Sequence, residues 1–361
     1  MTDDTRGRPR RRSPAPTLRD VALHAGVSSM TVSRVINGVP TVRERTRRLV
    51  NDAIREVGYS PNEAARRLAG APQVHIAMLY ARASAYIAEF LFGGLEQARK
   101  HNAQFIVEKC EDPEKAGIEI ERLMDEGVDG FLIAPPLADD ADLLDYLEAN
   151  DIPAVVVTSS RVRDGICSVG IDAYRAAREM TRHIVQLGHR NIGFIAGHPR
   201  HATSAHRLDG FRDALLEAGI SLPDRAVRQG YFTYRSGLDA AEELLALDPR
   251  PTAIFASNDD MAAASAAVAH RLGLDVPADL SIVGFDDTPL ATAIWPQLTT
   301  IHVPIAELTR AAADLLVETI HAHDSGERRI AAHVILEYSL VRRQSDAAPR
   351  VRPHYDAAAP L

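Results

Sequence analysis

From Val74 onward the chain alternates short apolar strands with helical stretches, and this alternation limits its body to few folds. Strands are predicted at residues 75–80, 104–107, 130–134, 154–158, 168–171, 191–196, 253–256, 281–285 and 299–302. Helical spacing fills gaps between them, for example over 114–126, 174–187, 208–218, 236–247 and 259–272. Strand, helix, strand in repetition is the pattern of a parallel sheet covered on both faces. Periodicity leaves open whether the nine strands make one large sheet or two smaller ones.

Before Ala71-Pro72 the texture differs, and residues 17–58 read as three short helices. The first opens at Thr17, with Asp20 as its capping-box partner, and stops at Gly26. The second opens at Ser28 and stops at Gly38. The third opens at Thr41 with Glu44, and Leu49, Val50, Ala53, Ile54 and Val57 recur at helical spacing before Gly58. Small Ala22, the Gly26 turn and an apolar anchor at Val27 fit two helices crossing in a helix-turn-helix. Val32, Val35 and Ile36 form the inward face of the second helix. Ser28, Ser29, Met30, Thr31, Ser33 and Arg34 are then available to base edges. A generic three-helix bundle would share the first two helices, and a plain surface hydroxyl at Ser33 would look the same.

Charge separates the two regions. Residues 1–70 carry 14 arginines and 7 acids, a balance of +7, whereas residues 71–361 carry 27 bases and 42 acids, a balance of −15; together they give the net charge of −8. A basic head on an acidic body points to a polyanion partner for the head alone. Residues 1–16 and 344–361 are expected to be disordered tails, the first of them basic. The prolines at 349, 353 and 360 argue against a helical assembly segment at the second.

Several function classes are disfavoured. No apolar run reaches the ~18 residues of a membrane span, and the basic start is followed by prolines rather than an apolar core, so a secretory signal is not expected. Two cysteines, Cys110 and Cys167, imply no disulfide framework, which fits the cytoplasm. No nucleophile elbow, phosphate loop or zinc-protease motif is present, so no catalytic residues and no cofactor are expected. His198, His201 and His206 lack the spacing of a metal site.

Residues 17–37 read TLRDVALHAGVSSMTVSRVIN, and VRERTRRLVNDAIREVGYSPNEAARRLAG follows over 42–70. These motifs resemble the lac repressor family (LacI/GalR type). The likeness continues through GHRNIGFIAG (188–197), SNDDMA (257–262), VPADLSIVGFDD (276–287) and PQLTTI (296–301), and so spans about residues 17–343. The resemblance implies an all-α helix-turn-helix head over 17–61, a hinge helix and linker over 62–72, and an α/β body over 73–343. That body would have the periplasmic-binding-protein fold: two parallel-sheet subdomains, three chain crossings and a ligand cleft between them. It implies that Ser29, Met30 and Arg34 read major-groove bases, while Thr31, Ser33 and Asn37 contact phosphates. Arg66 and Leu68 would enter the minor groove, Leu68 as a wedge between base steps. Ala69 stands where many members carry lysine.

For the body, the resemblance implies that Arg207, Asn258 and Asp286 bind an effector, expected to be a sugar. Phe232 matches an aromatic cleft position, and Tyr86 falls where members often have Phe. Trp295, beside the third crossing, is a further candidate for the cleft wall, with plain packing as the alternative. Asp287 reads as a cap. Thr158-Ser159-Ser160 replaces a common Asp and Val303 a common Gln, which leaves the ligand's identity open. The implied partners are double-stranded operator DNA with a pseudo-palindromic site, the small-molecule effector, and a second copy in a homodimer, with no membrane. A transport-type sugar-binding protein and a glycoside-acting enzyme are the alternatives.

Overall fold

The computed structural model describes residues 17–36, 43–57, 74–82, 84–157, 163–326 and 330–350, and the chain divides between Gln73 and Val74 into two compact units. The tail 1–16, Asn37, the segment 62–69 and residues 158–160 and 351–361 lie outside the described residues.

In the first unit, helix α1 (Leu18–Ala25) is held at its start by Thr17, whose amide and hydroxyl both donate to the Asp20 carboxylate at 2.7 Å. It stops where Gly26 adopts φ 65°, a left-handed conformation that costs a β-carbon-bearing residue about 1–2 kcal/mol. Helix α2 (Ser29–Ile36) starts on the Ser28 hydroxyl, which accepts from the Thr31 amide at 3.2 Å. With α3 (Glu44–Val57) these helices enclose a core of small side chains, Val21, Ala22, Ala25, Val32, Val35, Val50 and Ala53. Leu49, expected inward, is instead exposed, because Val50 and Ala53 take the buried stripe of α3.

The second unit contains β1 (His75–Tyr80), α4 (Ala85–Lys100), β2 (Gln104–Lys109), α5 (Ala116–Asp125), β3 (Gly130–Ile133), α6 (Ala141–Ala149), β4 (Ala154–Val157) and β5 (Cys167–Ile171). It continues with α7 (Ala173–Gln186), β6 (Ile192–Ala196), α8 (Ala202–Glu217), β7 (Val227–Gln229), α9 (Tyr234–Leu245), β8 (Ala253–Ala256), α10 (Asp259–Arg271) and β9 (Ser281–Val283). It closes with α11 (Pro289–Ala293), β10 (Thr300–His302), α12 (Ile305–Asp324), β11 (His333–Leu336) and β12 (Ser339–Val341). The strands form two separate parallel sheets, in the orders β11-β5-β4-β3-β1-β2 and β7-β6-β8-β9, joined by an antiparallel ribbon of β10 and β12. Ser84, Asp140, Asp172, Thr233 and Asn258 start the helices that follow them, each accepting a backbone N–H three residues on.

The chain crosses between the lobes three times: after β5, where α7 packs on α8 of the second lobe; after β10, where α12 returns to β3, β4 and β5; and after β11. The inner strands of each sheet, β1, β3, β4 and β5 in the first and β6 and β8 in the second, are buried on both faces. Phe194, Phe211 and Phe255 cluster on one side of the second sheet, with ring centroids 4.7 and 5.3 Å from Phe194.

Three strands were not legible in the sequence. β7 is a three-residue polar edge strand, and β11 and β12 are half-exposed. The expected tail from 344 also needs correction over its first part. Ser345 is fully buried, its hydroxyl accepting from the Thr299 amide at 2.9 Å while its carbonyl accepts from Ile282 at 2.8 Å. Asp346 pairs with His183 at 2.6 Å, and the Ala347 carbonyl takes a bond from His189 at 2.8 Å. The physical reason is the edge of β9, whose unpaired backbone groups need a partner, and this segment supplies it.

Candidate functional site

Both sheets share the order 2-1-3-4 across their first four strands, counted within each lobe. Such a sheet has a switch point where neighbouring connections leave in opposite directions, opening a crevice beyond the carboxyl ends of the strands. A cavity of about 360 Å³ lies there, lined from one lobe by Ala81, Arg82 and Pro135 among others, and from the other by residues that follow β6, β7, β8 and β9.

Arg207, on α8, is the centre of its polar wall. Its guanidinium lies 3.7 Å from the Phe285 ring centroid and 5.6 Å from that of Phe232. It donates to the Ser257 carbonyl and, at 3.3 Å, to Asp286. Its Nε, equally buried, has no partner among the described residues. Burial pushes the Asp286 carboxyl up to about 7 against the pull of Arg207. The Asp286 backbone brackets the second crossing, donating to Ile301 at 2.9 Å and accepting from Val303 at 3.2 Å. The polar centre of the cavity is thereby fixed to the strand that joins the lobes.

Phe232 reaches the cavity because of two backbone features. It adopts φ 58°, and its ring lies over Gly197, where an added Cβ would come within 1.9 Å of the ring. His201 continues this wall, 5.2 Å from Phe232 and 5.0 Å from His198, which in turn faces Tyr231 at 5.6 Å. Burial, with His198 and Arg207 beside it, holds the His201 imidazole down at about 3, so it is neutral near pH 7. Asn258 lines the cavity but already accepts from Met261 at 3.1 Å and donates to the Phe232 carbonyl at 3.3 Å. Its neighbour Asp259 points away, accepting from the Thr288 amide at 2.8 Å and the Thr300 hydroxyl at 2.7 Å. Burial, reinforced by the Asp286 charge, pushes Asp259 up to about 8.

Tyr86, Arg207, Phe232, Asn258 and Asp286 thus share one cavity. Trp295 does not: it is 75% exposed, because Ile294 and Leu298 beside it take the places in the core. Asp287 is not a cap but an anchor, accepting from Arg343 at 2.6 Å and bonded to His302 at 3.1 Å. Arg82, His198, Arg200, His201, Tyr231 and Asp260 also line the cavity and were not singled out as ligand contacts from the sequence. Most of them follow a strand end within a few residues, which was the signal available.

In the head, Ser29, Met30 and Arg34 lie exposed along α2, while Val32 and Val35 are buried on its other side. Thr31 and Ser33 are half-buried, and the Thr31 hydroxyl meets that of Ser28 at 2.9 Å. Asn37, Arg66 and Leu68 lie outside the described residues. No helix among the described residues is long and apolar enough to cross a membrane, and none of their side chains form a group of three that could hold a metal ion.

Two family models match the chain: "Bacterial regulatory proteins, lacI family" over residues 17–62 and "Periplasmic binding protein-like domain" over residues 181–345. The HTH-type transcriptional repressor PurR of Klebsiella pneumoniae is 35% identical over 92% of this chain and 97% of its own. Among solved structures, a complex of the transcriptional regulator CelR with cellobiose has a TM-score of 0.69 at 32% identity, covering 91% of this chain and 99% of that one. The lac repressor dimer bound to operator and the anti-inducer ONPF has a TM-score of 0.68 at 30% identity, covering 92% and 99%.

Proposed function

This chain belongs to the lacI family of bacterial regulatory proteins and is a DNA-binding transcription regulator, and we propose that a sugar controls it from the cavity between the lobes of its body. The observation that carries this reading is the wall formed by Arg207, Asp286 and Phe232 at the strand ends. A sugar needs paired polar groups for adjacent hydroxyls and an aromatic face for its C–H side. Arg207 and Asp286 offer the first and Phe232 the second. The cellobiose complex of CelR supports the choice of ligand class.

The mechanism follows from the crossings. The lobes are tied through β10, whose backbone is bonded to Asp286. A ligand touching both lobes favours one arrangement of them by its differential affinity. In a cytoplasmic homodimer, as supported by the lac repressor dimer on its operator, that choice sets how two heads meet a pseudo-palindrome. In each head Ser29, Met30 and Arg34 read the major groove with Ser28 beside them, Thr31, Ser33 and Asn37 hold phosphates, and Arg66 and Leu68 act in the minor groove. The body, not the final residues, supplies the pairing, so light scattering gives about twice the chain mass of 39.3 kDa.

The test is operator binding measured across a salt series, with and without each member of a panel of mono- and disaccharides. Specific binding that weakens steeply with salt, and that one sugar shifts, is expected. Binding that no sugar shifts, together with a body whose melting no sugar raises, overturns the ligand class.

A further inference from the structure

The cavity has two unlike ends. Around Arg207 it is carboxylate-rich: Asp286 and Asp260 both line it there, and Asp286 senses the charge of Asp260 and of Glu89 behind the wall. The other end is cationic. Arg82, which follows β1 in the first lobe, and Arg200, which follows β6 in the second, line the same cavity with His198 and His201. The Arg200 amide donates to the His198 ring at 3.1 Å. Both guanidiniums, one from each lobe, depress the protonation of both imidazoles, so the four groups converge.

Neither guanidinium is paired with a carboxylate among the described residues. Glu111 lines the cavity as well; Lys109 engages it, and the charge of Arg82 also lowers its carboxyl. Asp286 is engaged by Arg207. Two exposed cations from opposite lobes therefore face one space, lined also by the two imidazoles and by Glu111, which is bonded to Lys109. Drawing the lobes together on a ligand brings these like charges closer, which opposes closure unless the ligand brings an anion.

We propose that the effector carries an anionic group, a phosphate or a carboxylate, held between Arg82 and Arg200 while its hydroxyls face Arg207 and Asp286. This rests on the reading of the cavity as the effector site. Planar guanidiniums suit both anions, because each presents parallel N–H groups to a pair of oxygens. The anion ties the first lobe to the second, so the charge that improves affinity also stabilises the closed arrangement. A neutral sugar fits the carboxylate-rich end but brings no anion to Arg82 and Arg200.

The experiment is thermal melting and calorimetry of the full chain with inorganic phosphate, glucose, glucose 6-phosphate and gluconate, at constant ionic strength. Wild-type protein is compared with the double variant Arg82→Gln/Arg200→Gln and its charge-keeping counterpart Arg82→Lys/Arg200→Lys. Inorganic phosphate probes the cationic end without requiring the right sugar, and the phosphate and carboxylate arms identify the group. The expected result is preferential binding of one anion class, weakened about tenfold in the Gln variant and partly restored in the Lys variant. Because both arginines are exposed, the variants should melt without ligand near the wild-type temperature. Anions that stabilise no more than chloride overturn the proposal, as does an anion preference that survives in the Gln variant. A neutral sugar bound equally by all three proteins overturns it and leaves the sugar reading standing. Arginine-dependent phosphate binding with no sugar of either charge outbinding phosphate does the reverse, keeping the anion site and sinking the sugar.

Discussion

The head and the body solve recognition in opposite ways. The head buries only small aliphatic side chains and displays Ser29, Met30 and Arg34 on the exposed side of one short helix. The body buries six phenylalanines completely and puts its polar groups at the bottom of a cleft, where Arg207 and Asp286 are as hidden as core residues. A surface meant for a groove needs a rigid helix and little else. A cleft that selects a small molecule must desolvate it, so its own polar groups are desolvated as well and are held by partners. Substitutions in the two regions should therefore differ in kind: loss of stability with function in the body, loss of function alone in the head.

The largest effect expected is that of Arg207→Ala. It leaves Asp286 buried beside no cation, and breaking a buried pair in this way costs about 3–5 kcal/mol. Differential scanning calorimetry should show the body transition falling sharply and ligand heat disappearing. An unchanged body transition would mean that the cleft is no more demanding than a surface.

Next is Gly197→Ala, whose added methyl group overlaps the Phe232 ring. Overpacking of this kind costs up to about 3 kcal/mol, and it moves the aromatic wall even where the fold survives. Reduced effector affinity with a modestly lower melting temperature is the expected outcome. Normal affinity would remove Phe232 from the site.

Arg34→Ala tests the other region. Loss of the base contact proposed for Arg34 should remove about 1–3 kcal/mol of preference between operator variants. Since Arg34 is exposed, melting should stay within error of wild type. Retained preference measured by fluorescence anisotropy would assign base reading to other residues of α2.

The smallest effect is on pH dependence. Asp259 and Asp286 bind protons more tightly in the folded body than in the unfolded chain, so what they contribute is lost as pH rises through about 7 and 8. His201, His198 and His189 are depressed instead, and their contribution is lost as pH falls below the ordinary histidine value of 6.5. The two sets oppose each other below that value, and only the carboxyls act above it. Body stability should therefore decline between pH 6.5 and 8, and Asp259→Asn should flatten the decline. In the head, bonds from Thr17 lower the Asp20 carboxyl, so its contribution is complete above the ordinary carboxylate range and lost only as pH falls through it. A head transition as steep as the body's over pH 6.5–8 would erase the contrast.

What the sequence determined by itself was the head and the alternation of the body. Thr17, Asp20, Gly26 and Ser28 act on backbone groups within a few residues, so helix starts and stops could be read in place. The strands ending at Ala196 and Ala256 were legible because a doubly covered strand must be apolar throughout. Tertiary structure alone decided the outward position of Trp295, the anchoring of Asp287 by Arg343, and the burial of Ser345 against β9. It alone also brought Arg82 and Arg200 to one cavity. Residues so far apart in the chain leave no local pattern, because their meeting depends on which strand edges pair and how the chain crosses between lobes, and both are set by the packing of the whole body.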